Sequence, residues 1–246
     1  MSRFWDQHAQ KIDVHRFRGN DQYLWQPEHY PYEKIVDYLE RRSLRYLITL
    51  LGEDEAFGCV VKRTAGLTLS RDLLDSILEI DFLRQAGVNL PECRFVDIGA
   101  GYGRFTHRML QLNPRAYAVC TDAVDVSRAV CEKYLSSRGM QRWSVAHPKH
   151  LDFGTYDLAV NIHSWSECSA HEVEWWMRWL RKKRVPRLFV VPHHADFNCG
   201  DGAAERPAPE AGDFRSIIEE HGYSVRFSLD PHVDGGHYYL FGLEGT

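Results

Sequence analysis

Residues 94–110, RFVDIGAGYGRFTHRML, decide the fold. The first residues of this stretch are apolar and predict a buried strand, and the last ones have the spacing of an amphipathic helix. Between them, Gly99, Gly101 and Gly103 occupy alternate positions after Asp97. Glycines let the backbone and the positive end of the following helix approach a ligand closely. The stretch therefore predicts a strand, a tight turn and a helix that together bind a nucleotide-like ligand.

The spacing of the glycines separates two kinds of nucleotide-binding turn. A dinucleotide-binding turn, G-x-G-x-x-G, needs a small residue at position 104, which is Arg104 here. The spacing found is D-x-G-x-G-x-G, and Asp122 follows the next apolar run, residues 117–120. Because the two strand ends lie side by side in a doubly wound sheet, Asp122 can accept hydrogen bonds from both hydroxyls of a ribose.

This pattern resembles motif I of the class I S-adenosylmethionine (SAM) dependent methyltransferases over about residues 90–246. The resemblance implies an α/β fold with a Rossmann-like, seven-stranded sheet that is mostly parallel and has an antiparallel last strand. It also implies SAM as cofactor and S-adenosylhomocysteine (SAH) as product, with Asp97 on the methionyl amino group, directly or through water, and Asp122 on the ribose. The residues expected to bind the cofactor are Asp97, Gly99, Ala100, Gly101, Tyr102, Gly103, Asp122, Ala123, His147 and Asn161.

The chain departs from the family pattern after the third strand. Class I enzymes often place an acid there to bind the adenine amino group, whereas this chain has Ala146-His147-Pro148. We expect His147 or a backbone group to take that role.

Composition sets the broad class. The chain has 246 residues, of which 44% are hydrophobic, enough for one α/β domain with an elaboration. The formal charge of −4 excludes a basic nucleic-acid footprint, and the six cysteines form no C-x-x-C pair. No apolar run approaches the ~20 residues of a membrane helix, and the N-terminus lacks an apolar signal core. We expect a cytoplasmic protein without nucleic-acid or membrane partners; the sequence predicts no oligomeric state.

Alternating apolar runs and helical patterns extend the fold along the chain. Further strands are predicted at residues 117–120, 143–146, 156–162, 187–191, 224–229 and 237–243. Ser169 and Glu172 predict a capping box at the start of the helix after the fourth strand. We divide the chain into an N-terminal aromatic and helical lid region, residues 1–89, and a SAM-binding domain, residues 90–246.

The lid region shows two helical patterns. The first, over residues 31–51, has an apolar face formed by Ile35, Leu39, Tyr46, Leu47 and Leu50. The second begins after Ser70, a predicted N-cap, and ends near Gly87. The polar residues at its start, Ser70, Arg71, Asp72 and Asp75, either face the ligand site or are a helix cap with ordinary surface charges.

The loop after the fourth predicted strand carries the candidate catalytic residues. Residues 161–167 read NIHSWSE, at the edge where open α/β sheets present groups to ligands. His163 can take a proton near neutral pH and Glu167 can orient it, which suits transfer to a hydroxyl oxygen. The alternative is that His163 only hydrogen-bonds the loop.

Two longer segments narrow the resemblance. LSRDLLDSILEIDFL followed by VDIGAGYGR, and later YDLAVNIHSWSE, resemble sugar O-methyltransferases of polysaccharide and natural-product biosynthesis over about residues 60–180. This implies a hydroxyl of a sugar or sugar-like small molecule as acceptor, nucleotide-linked or free. Residues expected on the substrate side are Tyr23, Trp25, Arg71, His193, His194 and His237.

Three alternatives remain open. A divalent metal could sit near Glu167, Asp196 or Asp201, but no acid-rich cluster of recognisable spacing occurs, so no metal ligands are assigned and no metal is expected. The acceptor could be a small molecule other than a sugar, methylated on oxygen or nitrogen. The chain could also be a catalytically silent module that binds SAM.

Overall fold

One mixed β-sheet carries the fold. The computed structural model describes residues 9–19, 29–151, 154–198 and 213–245. Its strands are β1 (Lys62–Thr64), β2 (Leu67–Leu69), β3 (Arg94–Ile98), β4 (Tyr117–Thr121), β5 (Trp143–Ala146), β6 (Leu158–Ile162), β7 (Arg187–Val191), β8 (Tyr223–Leu229) and β9 (Tyr238–Leu243). Its α-helices are α1 (Tyr32–Arg41), α2 (Tyr46–Leu51), α3 (Arg71–Gln85), α4 (Arg104–Leu112), α5 (Asp125–Ser137), α6 (Ala170–Lys182) and α7 (Phe214–Glu220). In the part of the chain described, no helix has the length and apolar character needed to cross a membrane.

The strand order of the large sheet is β5-β4-β3-β6-β7-β9-β8, and β1 and β2 form a separate two-stranded sheet. Strands β3 to β7 are parallel to their neighbours among themselves, whereas β9 is antiparallel to both β7 and β8. The Rossmann-like α/β fold predicted from the sequence, with seven strands and an antiparallel last strand, is confirmed. The chain moves outward from β3 to β5 and then returns to β6, so the carboxyl ends of β3 and β6 border a ligand-binding crevice.

Apolar layers cover both faces of this sheet. Along β3, Phe95 belongs to the layer that contains Phe105 and Met109 of α4. The next residue, Val96, belongs to the opposite layer, together with Val173 of α6. Burial on both faces explains why the central strands read as nearly continuous apolar runs.

The helix predicted over residues 31–51 is instead two helices, α1 and α2. The chain turns between them at Ser43, whose φ is +57°, and no glycine or proline marks the break. The break changes the phase of the second helix. Leu47 and Ile48 are buried, whereas Tyr46 is 58% exposed and Leu50 is 61% exposed. The prediction that Tyr46 and Leu50 belong to the apolar face is therefore wrong.

Two predicted helix starts are confirmed. The Ser70 hydroxyl accepts a hydrogen bond from the Leu73 amide at 3.0 Å, which caps α3. Ser169 and Glu172 form the predicted capping box at the start of α6. The small hairpin of β1 and β2 was not predicted, because strands of three residues are too short to show a period.

Helix α3 buries acidic side chains as well as apolar ones. Its four acids are all buried, and each pairs with an arginine from the N-terminal segment, the turn after α1, α3 itself or the start of α4. The pairs are Asp72 with Arg18, Asp81 with Arg42, Asp75 with Arg71 and Glu79 with Arg104. A buried carboxylate needs such a partner because leaving water costs it several kcal/mol. Of the two alternatives for the start of α3, ordinary surface charges are therefore excluded for Asp72 and Asp75.

Arg18 fixes the N-terminal segment to the rest of the fold. Its fully buried guanidinium lies 2.8 Å from Glu53 and 2.9 Å from Asp72. The Tyr102 hydroxyl also donates a hydrogen bond to Asp72, and the Tyr102 ring packs against Phe17 with centroids 5.4 Å apart. The described N-terminal residues are thus held against the glycine turn.

The same network contains a group that resembles a metal site. Ligand atoms of Glu53, Cys59 and Asp72 lie within 4.8 Å of one another. Arg18 pairs with both carboxylates, and Arg108 lies 3.2 Å from Glu53. Burial raises the pKa of the Cys59 thiol, which keeps it protonated. Because arginines already neutralise the carboxylates, we interpret the group as an ion-pair network.

Replacing Arg18 with leucine tests this network. The change leaves Asp72 buried without its arginine, and removing one partner of a buried ion pair costs about 3–5 kcal/mol. We expect the free energy of unfolding in urea to fall by about that amount. The control is Arg63→Ala, because Arg63 and its partner Glu55 are 66% and 58% exposed and such a pair contributes about 0–1 kcal/mol. Equal losses in the two variants would contradict the role of Arg18.

Candidate active site

A cavity of about 470 Å³ lies at the carboxyl ends of β3, β4, β5 and β6. The predicted site residues that line it are Asp97, Gly99, Ala100, Gly101, Tyr102, Asp122, Ala123, His147, His163 and Glu167. Those described elsewhere in the structure are Gly103, Asn161, Arg71, His193, His194 and His237. Tyr23 and Trp25 lie outside the described residues. The predicted catalytic residues His163 and Glu167 thus share one cavity with most of the predicted cofactor residues, whereas the described residues expected on the substrate side lie outside it.

Asp97 lies near the end of β3 and is 3% exposed. The Thr106 hydroxyl of α4 donates a hydrogen bond to Asp97 Oδ2 at 2.8 Å. Burial raises the pKa of Asp97 to about 6, while the bond from Thr106 acts in the opposite direction. Burial destabilises the ionised carboxylate, and a cationic group of a ligand would stabilise it again. Asp97 is therefore suited to bind an amino group.

Amides of the glycine turn have partners within the protein. The Gly99 and Ala100 amides donate to the Thr121 carbonyl at 2.8 and 3.1 Å. The Gly101 amide donates to Asp122 Oδ2 at 3.1 Å. These three amides are therefore already paired, and the turn offers a ligand bare main-chain surface.

Gly99 lies directly against the loop after β6. Its φ is +71°, and a Cβ placed on it would lie 2.1 Å from Ser164 Oγ and 2.3 Å from Ser164 Cβ. Glycine alone combines this φ with so close an approach. The turn after β3 and the loop after β6 therefore touch at Gly99 and Ser164.

Asp122 joins the end of β4 to the turn. Its carboxylate accepts hydrogen bonds from the Gly101 amide at 3.1 Å and the Val124 amide at 2.8 Å. Burial raises the pKa of Asp122 to about 6, although both bonds favour the charged form. A carboxylate oxygen can accept more than one hydrogen bond, so Asp122 can also accept hydroxyl groups of a ribose.

Asn161 holds the loop after β6 in place and does not line the cavity. Its side-chain amide donates to the Ile98 carbonyl at 3.0 Å, and its oxygen accepts from the Trp165 amide at 3.0 Å. The buried side chain thus links the end of β3 to the loop after β6. Gly103 is also structural: a Cβ on it would lie 2.9 Å from Cys131 Sγ, so it allows α4 to pack on α5.

His163 begins the loop in an uncommon backbone conformation. Its φ is +67°, which few residues other than glycine adopt. Its amide donates to the Val191 carbonyl at 2.7 Å, and its carbonyl accepts from the Ser166 amide at 3.0 Å. These bonds hold His163 at the end of β6, where it lines the cavity.

Glu167 lies near a second histidine, His193, in addition to the predicted His163 of the same loop. Its carboxylate lies 4.0 Å from His193 Nε2, and the ring of His193 lies 4.8 Å from that of His163 between centroids. The His193 amide donates to Ser166 Oγ at 3.0 Å, which fixes the end of β7 to the loop. The carboxylate thus lies beside His193, whose ring in turn contacts the ring of His163.

Both imidazoles are held neutral. Burial lowers the pKa of His163 well below its usual value, and the positive charge of Arg71 and the neighbouring imidazole of His193 act in the same direction. Partial burial also lowers the pKa of His193, with His194 and Arg71 adding to the effect. A neutral imidazole keeps a nitrogen lone pair that can accept a proton or a hydrogen bond. Arg71 thus acts on both rings from α3 without lining the cavity.

Two predicted substrate residues lie farther out. His194 is exposed, with its ring centroid 6.4 Å from that of His193. His237 precedes β9 and hydrogen-bonds Asp230 of the β8–β9 hairpin. Neither side chain reaches the cavity in the described structure.

Helix α6 supplies a wall that the sequence did not reveal. His171, Glu172, Trp175 and Trp176 line the cavity. Their spacing of one, three and four residues places them on one face of the helix. The capping box at Ser169 was the available signal, since it sets the start of α6 beside the loop after β6.

Gly99→Ala tests the contact between turn and loop. The new Cβ would overlap Ser164, and the left-handed backbone adds about 1–2 kcal/mol of strain, so we expect a loss of unfolding free energy in urea above that value. The control Gly139→Ala should cost the strain alone, because Gly139 has a φ of +66° and nothing lies within 4 Å of an added Cβ. The double variant Gly99→Ala/Ser164→Gly is compared with the single variant Ser164→Gly. Its additional loss of unfolding free energy should equal the loss in the control Gly139→Ala. Equal losses for Gly99→Ala and the control would contradict the contact.

Comparisons with known proteins bear on the fold. No model of a protein family matches the sequence, and no curated protein matches it significantly. The pyocyanin biosynthetic protein PhzM matches with a TM-score of 0.51 at 17% identity, over 70% of this chain and 56% of that one. A candidate O-methyltransferase of Nostoc punctiforme PCC 73102 matches with 0.52 at 15%, over 68% and 55%. Magnesium protoporphyrin IX methyltransferase (ChlM) of Synechocystis PCC 6803, with bound SAM, matches with 0.51 at 12%, over 89% and 99%.

The chain spans little more than half the length of the first two of these structures. At identities of 17% or less, the likeness establishes the architecture and leaves activity and acceptor to chemical argument. The strand order, the antiparallel β9 and the glycine turn after β3 agree with it. This chain has the fold of the class I methyltransferases.

Proposed function

We propose that this protein is a SAM-dependent O-methyltransferase that acts on a hydroxyl of a sugar or sugar-like acceptor, nucleotide-linked or free, in polysaccharide or natural-product biosynthesis. The observation that carries the proposal is that one cavity contains Asp97 and Asp122, which suit SAM, and His163, which suits a hydroxyl. Residues 1–89 form the lid region in this proposal, and residues 90–246 form the SAM-binding domain.

The residues present fit the cofactor. Asp97 is a buried carboxylate with a raised pKa, as a site for the methionyl amino group requires. Gly99 brings bare main chain to the cavity, and Asp122 retains acceptor capacity for the ribose hydroxyls. When bound, SAM supplies an electrophilic methyl group on a sulfonium sulfur.

The protein has two tasks in the transfer. It must align the acceptor oxygen with the methyl carbon, and it must remove the hydroxyl proton as the carbon–oxygen bond forms and the carbon–sulfur bond breaks. Alignment can contribute about 7–11 kcal/mol, whereas a general base contributes about 10²–10⁴-fold in rate. We assign the base to His163, with Glu167 and His193 positioning groups next to it. The electron pair of the breaking bond stays on sulfur, which leaves as the thioether of SAH.

The sugar acceptor rests on the resemblance of the loop NIHSWSE. PhzM and ChlM are named for pyocyanin biosynthesis and magnesium protoporphyrin IX, which are not sugars, so a small molecule of another class is the second candidate. A screen of free sugars, nucleotide sugars and phenols with labelled SAM separates the two. Binding of SAM without turnover of any acceptor would favour a catalytically silent module.

Calorimetry with SAM and SAH tests the cofactor site. We expect both to bind the wild-type protein, and failure of both would contradict the enzyme proposal. Asp97→Asn keeps an oxygen that can accept from Thr106 but loses the charge. A hydrogen bond to a charged group contributes about 1.5–3 kcal/mol, so SAH affinity should fall about 10- to 100-fold. The variant should unfold no more easily than wild type at pH 7.5, because burial disfavours the ionised carboxylate that it lacks.

The same experiment has a defined pH dependence. Because the pKa of Asp97 and that of Asp122 are both raised to about 6, these groups are ionised above that pH and protonated below it. SAH affinity should therefore be full at pH 8 and decrease as the pH falls through about 6. In Asp97→Asn, only the part of this pH dependence that is due to Asp122 should remain.

His163→Asn tests the base. Asparagine tolerates the positive φ at this position better than alanine does. We expect kcat to fall about 10²–10⁴-fold while SAH affinity changes less than about twofold. The control His15→Ala alters an exposed histidine of the N-terminal segment and should leave kcat unchanged. Unchanged turnover in His163→Asn would remove His163 as the base. Because the pKa of His163 is lowered, wild-type kcat should stay level between pH 8 and 6.5.

A further inference from the structure

The order of the strands fixes the direction in which a bound cofactor extends, provided that the chain binds SAM as proposed. Asp97, Asp122 and His147 lie at the ends of β3, β4 and β5, which are consecutive neighbours in the sheet. Adjacent strands are about 4.8 Å apart. With the amino group on Asp97 and the ribose on Asp122, the adenine reaches His147 and the part of the cavity beyond it.

At the end of β5 the chain has Ala146, His147 and Pro148 at the place where an acid is expected after the third strand of the domain. The chain leaves β5 at Ala146 and continues through His147 into a short turn of 3₁₀ helix, Pro148–His150. Among the described residues between β5 and β6, which omit 152 and 153, no α-helix intervenes. Helix α6, which follows the next strand, lines the same cavity as His147.

The face of α6 that lines the cavity is largely aromatic. Glu172 also lies on this face, but its Oε2 accepts hydrogen bonds from the amide and hydroxyl of Ser169 at 2.9 and 3.0 Å. Trp176 is 7% exposed and belongs to the core, whereas Trp175 is 39% exposed. Trp175 is thus the large apolar side chain that this wall leaves open.

The orientation of Trp175 is fixed by its neighbour. The rings of Trp175 and Trp176 are 4.9 Å apart between centroids and inclined by 83°, an edge-to-face arrangement. The buried Trp176 cannot move without disturbing the core, so it holds the partly exposed ring beside it. A rigid aromatic surface of this kind binds a planar base by stacking, and it needs no hydrogen-bond partner for that.

We propose that Trp175 is the stacking platform for the adenine of SAM and that it takes the place of the acid that residues 146–148 do not supply. The inference rests on the proposed function and adds a positioning residue to it. The base lies against the Trp175 ring at the outer end of the cavity, and the amino acid part lies at Asp97.

Two ligands distinguish binding at the adenine end of the site from binding at the amino acid end. SAH carries both the adenosine and the amino acid part, whereas 5′-methylthioadenosine carries the adenosine without an amino group. We expect Trp175→Ala to weaken both ligands about tenfold or more in calorimetry, as loss of one base-stacking contact does. Trp175→Phe, which keeps a ring, should bind both within about threefold of wild type. Asp97→Asn should weaken SAH alone.

The matched control is Trp179→Phe, one turn farther along α6. Trp179 packs against Tyr156 with ring centroids 5.6 Å apart and does not line the cavity, so both affinities should be unchanged. Wild-type binding together with unchanged affinities in Trp175→Ala would overturn the platform and leave the methyltransferase proposal standing. Loss of SAH affinity alone in that variant would also overturn it. Failure of the wild-type protein to bind either ligand would overturn both proposals.

Discussion

The close approach of Gly99 to Ser164 is the constraint on which the site depends. Because a side chain at Gly99 would overlap Ser164, the main chain of the turn can lie directly on the loop after β6. Asn161 reinforces this contact by bonding to the end of β3 and to the loop. Two segments far apart in the sequence thereby become walls of one cavity, and Asp97 and His163 come to line it together.

Buried ion pairs provide the second constraint, because they allow few alternative packings of the helices. Arg104 begins α4 directly after the turn, and its guanidinium lies 2.7 and 2.9 Å from the two oxygens of Glu79 on α3. A buried pair adds little net stability but is costly to break, so it favours one packing of α4 on α3. Arg104 is too large for the third small position of a dinucleotide-binding turn, and the same residue holds the glycine turn against α3. Arg18 does the same for the N-terminal segment through Asp72.

Strong local sequence patterns predicted the structure correctly. The glycine spacing, the apolar strand runs and the capping box at Ser169 predicted the sheet and the placement of Asp97, Asp122 and His163 at its carboxyl edge. They failed at Ser43, because a left-handed serine breaks the first helix without a glycine or proline to mark it. They left open whether the acids at the start of α3 are exposed, because the partner of Asp72 is Arg18, which lies far away in the sequence.

The class of sheet, the turn and the acids at the strand ends follow from sequence alone, because each depends on residues that are neighbours along the chain. The three-dimensional packing was needed to show that Glu167 lies near His193, that Arg104 pairs with Glu79 and that Trp175 lines the cavity. Those contacts depend on how helices and loops pack across the carboxyl edge of the sheet. Packing of that kind joins residues distant in the sequence and leaves no periodic signal in it.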